Sequence, residues 1–165
     1  MTKKRTASKK PTTSITPYLT VRGAASAIEF YKSAFGAKEI ARIDVPETEF
    51  VQHAELKLAG ATIYLCDELP ESGILSPLSI GGSATMLDLR VEDADDFWLN
   101  ALTAGAVEVL PLNNMPWGDR SGKLVDPFGH YWSVSSKAVQ SECEADLAST
   151  VPAKHVDEEA YSAAV

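Results

Sequence analysis

The sequence predicts an α+β protein of two tandem βαβββ units, whose strands form a curved, partly closed eight-stranded mixed sheet around a cup-shaped cleft. A turn and its repetition predict it. Residues 121–134, Ser-Gly-Lys-Leu-Val-Asp-Pro-Phe-Gly-His-Tyr-Trp-Ser-Val, read as two short strands reversing through Asp126-Pro127-Phe128-Gly129. Proline suits the second position of such a turn, and glycine suits the backbone of a tight reversal. Residues 55–65 repeat this pattern about 69 residues upstream, with Leu56 against Val125, Gly60 against Gly129, Ile63 against Trp132 and Leu65 against Val134. The register extends outward to Leu19-Thr20-Val21 against Leu89-Arg90-Val91, to Phe30 against Phe97 and to the helix exits Phe35-Gly36-Ala37 and Ala104-Gly105-Ala106. A spacing kept this long marks a duplicated supersecondary unit, residues 15–68 and 84–137.

In chain order, Ile15 to Val21 alternates as a strand. Ala24, Ala27, Ile28, Tyr31 and Phe35 fall at helical spacing, and Gly36 stops that helix. Residues 38–45 give a second strand, Phe50 to Leu58 a third and Ala61 to Cys66 a fourth, around a two-residue reversal at Ala59-Gly60. Residues 69–83, with Pro70, Gly73, Pro77, Gly81 and Gly82, read as a linker with little periodicity. Thr85 to Val91 opens the second unit, Asp93 is an N-cap for its helix, and Gly105 ends that helix. Val107 to Leu110 is the next strand, and residues 111–118 form a loop before the final strand pair.

The 165 residues are 45% hydrophobic and 23% charged, which suits a globular domain with a substantial core. No apolar run reaches the roughly 20 residues of a membrane span. The basic start is followed by no apolar segment of a secretory signal. Cys66 and Cys143 form no metal or redox spacing. These features place the protein in the cytoplasm, away from membranes. The net charge is −8, with five positive charges in residues 1–11 and six carboxylates in residues 138–165. Residues 1–14 and 138–165 read as disordered tails, and the acidic body between them argues against nucleic-acid binding.

Strand alternation assigns the faces. Leu56, Leu58, Ile63 and Leu65 face the helix of the first unit, so His53, Glu55, Lys57, Thr62, Tyr64 and Cys66 face the hollow, with Tyr18 and Thr20 beside them. In the second unit Val125, Trp132 and Val134 are read as helix-facing. That phase sends Arg120, Leu124, Tyr131 and Ser133 into the hollow, together with Met86, Asp88 and Arg90.

Thr-Pro-Tyr-Leu-Thr-Val at 16–21, Ile-Glu-Phe-Tyr-Lys-Ser-Ala-Phe-Gly-Ala at 28–37, His-Ala-Glu-Leu at 53–56, Cys-Asp-Glu at 66–68, Trp-Gly-Asp-Arg at 117–120 and Asp-Pro-Phe-Gly-His-Tyr-Trp at 126–132 resemble the PhnB-like branch of the vicinal oxygen chelate superfamily. That superfamily includes glyoxalase I, extradiol dioxygenases, and bleomycin and fosfomycin resistance proteins. The resemblance covers residues 15–137. It implies a paired βαβββ fold with a cup-shaped site, usually completed in a homodimer. It also implies a divalent metal held from the first and fourth strands of each unit, positions occupied here by Thr16, Tyr64, Met86 and Ser133. None of these side chains suits such a metal, which takes imidazole or carboxylate. Related sequences often carry His where Asp88 stands.

No cofactor is therefore expected, and the alternative is a divalent metal displaced onto His53, Glu55 and Asp88. His53 with Glu55 is also the candidate catalytic pair for metal-free acid/base chemistry. The candidate ligand-binding residues are Tyr18, Tyr64, Asp88, Arg90, Trp117, Arg120 and Ser133. Arg90 and Arg120 would suit a carboxylate or phosphate, or else pair with neighbouring carboxylates, while Tyr18, Tyr64, Trp117 and Tyr131 would stack a flat ring. His130 is assigned to bracing the loop, and Asp126 and Gly129 to turn geometry. The leading functional expectation is a metal-free small-molecule binder for a modest aromatic or anionic ligand. A metal-dependent lyase, isomerase or dioxygenase is the competing one, and protein capture by the tails is a third.

Overall fold

The computed structural model describes residues 14–58 and 60–138. The expected tails lie outside the described residues except for Ser14 and Ala138. The first unit runs β1 (Tyr18–Val21), α1 (Ala24–Phe35), β2 (Lys38–Asp44), β3 (Val51–Leu58) and β4 (Ala61–Asp67). A 3₁₀ turn at Pro70–Ser72 and a short helix α2 (Pro77–Ile80) structure the linker. The second unit runs β5 (Met86–Arg90), α3 (Ala94–Thr103), β6 (Val107–Asn114), β7 (Asp119–Val125) and β8 (Tyr131–Lys137).

The duplicated architecture is as the sequence predicts. The strands divide into two separate four-stranded mixed sheets that do not close into a barrel, ordered β1-β4-β3-β2 and β5-β8-β7-β6. In each, the first strand runs parallel to the fourth and the rest are antiparallel. Each helix covers one face of its own sheet, and the units meet through α1 and α3, where Phe35 stacks on Phe97 with ring centroids 4.9 Å apart. One core results, holding Ile28, Tyr31, Leu56 and Leu65 of the first unit with Trp98, Leu124, Trp132 and Val134 of the second.

The local reasons for the elements are specific. Asp93 accepts from the backbone N–H groups of Asp95 and Asp96 and caps α3. The start of α1 has no such residue, since Gly23 precedes it with φ 86°. A carboxylate from the end of β4 does the work instead: Asp67 Oδ1 accepts from the N–H groups of Gly23 and Ala24 at 2.8 Å each, and Oδ2 accepts from Val51 N–H at 2.8 Å. Strand β6 continues through Pro111 to Asn114, where a loop was expected. It is an edge strand, so the missing proline N–H breaks no ladder on its outer side.

The expected facing of β7 is corrected. Leu56 pairs with Ile63 in the first unit, whereas Leu124 pairs with Trp132 in the second. The second hairpin is therefore one residue longer between matched pairs, and the offset on β7 falls from 69 to 68. A slip of one residue exchanges the two faces of a strand. Leu124 is consequently fully buried against the helix side, and Val125, paired with Tyr131, lies on the outer face.

Asp126 closes this hairpin with both carboxylate oxygens. Oδ1 accepts from Phe128 and His130 N–H at 2.9 Å, while Oδ2 accepts from the Tyr31 hydroxyl at 2.7 Å and the Trp132 indole at 2.9 Å. Asp126→Ala strands two buried donors, and the expected loss is roughly 3–5 kcal/mol of stability, seen as a lower urea midpoint. Gly122 lies under Trp98 so closely that an added Cβ would sit 2.7 Å from its ring and 2.9 Å from the Leu112 backbone. Gly122→Ala is expected to cost about 1–3 kcal/mol in the same measurement.

Candidate functional site

On the outer face of the first sheet, parallel pairing sets Tyr18 beside Tyr64, and antiparallel pairing sets Glu55 on the other side of Tyr64. His53 joins them: its Nδ1 is hydrogen-bonded to the Tyr18 hydroxyl at 2.8 Å, and its ring packs edge-on to Tyr18 at 5.5 Å and Tyr64 at 5.0 Å. The Tyr18 and Tyr64 rings are 5.7 Å apart. Burial, and then the neighbouring Cys66 thiol, push the Tyr18 hydroxyl above its ordinary pKa. The three rings form a continuous aromatic wall with one polar rim.

Beside this wall lies a pocket of about 330 Å³, lined by Tyr18, Thr20 and Cys66 and bordered by linker residues Leu69 and Ile74. The linker is fixed there by Glu68, which accepts from Arg22 Nε at 3.0 Å, Ser76 N–H at 3.0 Å, Ser76 Oγ at 2.7 Å and Ser79 Oγ at 2.5 Å. Hydrogen bonds from Ser79 and Ser76, with Arg22 beside them, hold the Glu68 carboxyl down at about 2. Sequence reasoning missed the linker's part in the site, because nothing in its Pro/Gly pattern reports contacts with β1.

The remaining candidates lie elsewhere. Asp88 pairs with Ser133 on the second sheet, and Arg90 on the same strand bonds Asp119 at 2.5 Å, which Lys137 also contacts at 3.0 Å. The hydrogen bond from Lys137 and the nearby Arg90 charge hold the Asp119 carboxyl below its usual range. Arg120 does not face the hollow. Through the same shift that turns Leu124 inward, it lies on the helix side and grips Asp95 of α3 with two bonds of 2.6 Å. Trp117 projects from the β6–β7 turn and is 67% exposed, away from the Tyr18, His53 and Tyr64 rings.

Of the positions that the resemblance assigns to metal ligands, Tyr64 neighbours Tyr18 and Ser133 neighbours Asp88, while Thr16 and Met86 stand two residues off those pairs. A set of two hydroxyls, a phenol and a thioether does not fit a divalent cation that takes imidazole or carboxylate. Among the described residues no three His, Cys, Asp or Glu side chains converge on one point, and His53 and Glu55 stand on a different sheet from Asp88.

A family model described as the glyoxalase/bleomycin resistance protein/dioxygenase superfamily matches residues 13–134. The chain belongs to that superfamily. Among relatives of this superfamily member, the uncharacterized protein Mb0911c of Mycobacterium bovis is 42% identical over 123 residues, 73% of this chain and 80% of its own. The solved structure of the Arabidopsis thaliana protein At5g48480 is 32% identical with a TM-score of 0.60, covering 76% of this chain and 99% of that one. The PhnB protein of Bacillus cereus, 21% identical, shares the fold with a TM-score of 0.58 over 75% of this chain and 99% of its own.

His130, placed by the sequence beside the turn glycine, reaches across to the first unit, where its Nε2–H donates to the Thr20 carbonyl at 3.2 Å. Burial lowers its pKa, against an opposing pull from Asp126. The unfolded chain thus takes up a proton near pH 6.5, where the folded protein does not. Stability is full above that value and falls as the pH drops through it towards the lower folded pKa. Melting curves between pH 7.5 and about pH 5.5 should show this slope in the parent protein and a flatter one in His130→Gln.

Proposed function

We propose that this superfamily member is a PhnB-like small-molecule binding protein that works in the cytoplasm as a homodimer and holds its ligand without the usual metal. The observation that carries the reading is the Tyr18, His53 and Tyr64 wall beside a partly open pocket. Such sites combine apolar and aromatic surface with a few polar groups that fix orientation. The side chains at the metal positions support it further, since they offer ring surface and hydroxyls where a cation would need imidazole or carboxylate. Dimerisation is supported by the edge strands: every residue of β2 is exposed, and Ile40, Ile43, Val107, Val109 and Leu110 stand open to solvent on β2 and β6.

The test joins elemental analysis of protein purified without chelator to a thermal-shift screen of small aromatic, anionic and cationic compounds. The expected result is no stoichiometric metal, and at least one compound raising the melting temperature by several degrees at saturating concentration, an effect lost in Tyr64→Ala. One equivalent of a divalent metal that disappears in His53→Ala would overturn this and favour a metal-dependent lyase, isomerase or dioxygenase.

A further inference from the structure

The walls of the pocket beside Tyr18 differ in character, and the difference bears on what can enter. Leu69 and Ile74 form one side, held as a small hairpin by Leu69 N–H to Ile74 carbonyl at 2.7 Å and the reverse bond at 3.1 Å. Phe50 and Gln52 form another, and Thr20 contributes its hydroxyl to the floor. Among the described residues, the one carboxylic side chain on the lining is Asp67. Its oxygens are already committed to the three backbone N–H groups that start α1 and β3, so its charge is fixed there.

Among the described residues, no lysine or arginine lines this pocket. All four arginines among the described residues are already paired with carboxylates, Arg22 with Glu68, Arg42 with Asp44, Arg90 with Asp119 and Arg120 with Asp95. A carboxylate or phosphate entering beside Asp67 would lose its hydration with no cation to replace it. A volume of about 330 Å³ is at the lower end for small-molecule sites and suits one or two fused rings. The Thr20 hydroxyl and the Gln52 amide can meet one polar group on such a molecule.

We propose that this pocket takes a neutral, flat, one- or two-ring aromatic molecule bearing a single polar group, and that Leu69 and Ile74, latched over β1 by Glu68, set that class. The inference rests on the binding reading above and narrows it, removing anions from the candidate ligands. Because Glu68 stays ionised well below neutral pH, the latch is closed under ordinary conditions. Ile74 is then a specificity-determining residue rather than a piece of surface linker.

Naphthol and naphthoate are paired probes, sharing one ring system and differing in charge at pH 7. Fluorescence titration of the full chain should show naphthol binding at least about tenfold more tightly than naphthoate, the factor that one unpaired charge readily produces. Ile74→Trp fills the pocket and should abolish naphthol binding with the melting temperature retained. Ile74→Lys places a cation at the rim and should reverse the preference towards naphthoate, which a merely structural role for Ile74 would not do. Naphthol binding unchanged in both variants would overturn the proposal. So would naphthoate binding equal to naphthol in the parent protein, although the binding reading would survive if Tyr64→Ala removed it. Failure of both probes overturns this ligand class, and failure of the whole compound screen overturns the binding reading with it.

Discussion

A buried carboxylate with four donors around it holds the two halves of this protein together. Asp126 is only 4% exposed, and an isolated charge at that depth would cost several kcal/mol. Two backbone N–H groups, an indole and a phenol remove that cost. The phenol belongs to Tyr31 on α1, while the other three donors belong to the second unit. The turn that shapes the β7–β8 hairpin therefore also fixes where the first helix sits. Burial, and then the Asp126 charge, raise the Tyr31 pKa well above its ordinary value, which keeps the phenol a donor.

Asp67 plays a related part at the other end of the first unit, and its neighbours show how closely fold and site are joined. Cys66 contributes to the pocket floor, Asp67 starts α1 while also lining the pocket, and Glu68 leaves the strand to fix the linker. Three consecutive residues thus serve as pocket floor, helix start and linker anchor. The pocket is a by-product of groups that the fold already needs.

The outer faces of the two sheets have different chemistry. The first carries rings packed edge to edge around His53, while the second carries the exposed ion network of Arg90, Asp119 and Lys137. Solvated pairs of that kind contribute little to stability, and they leave the arginine engaged. The duplication has thus kept one scaffold and changed the surface it presents. The first unit presents ring surface there, and the second presents charge.

The sequence alone determined the duplicated βαβββ plan, the helix-facing sides of β3, β4 and β8 and the Asp93 cap, because each is written in local periodicity or a short motif. It misplaced Arg120 and Leu124 because a single extra residue in the second hairpin reverses the phase of β7, and repeat alignment has no sensitivity to a shift of one. It ended β6 early because Pro111 breaks a strand only where its N–H is needed. Tertiary structure decided the rest. The bonds from Ala24 to Asp67 and from Tyr31 to Asp126 span 43 and 95 residues. The linker became a pocket wall through four bonds to Glu68. Periodicity tells each side chain which face to take, but only packing of the whole chain chooses what stands opposite it.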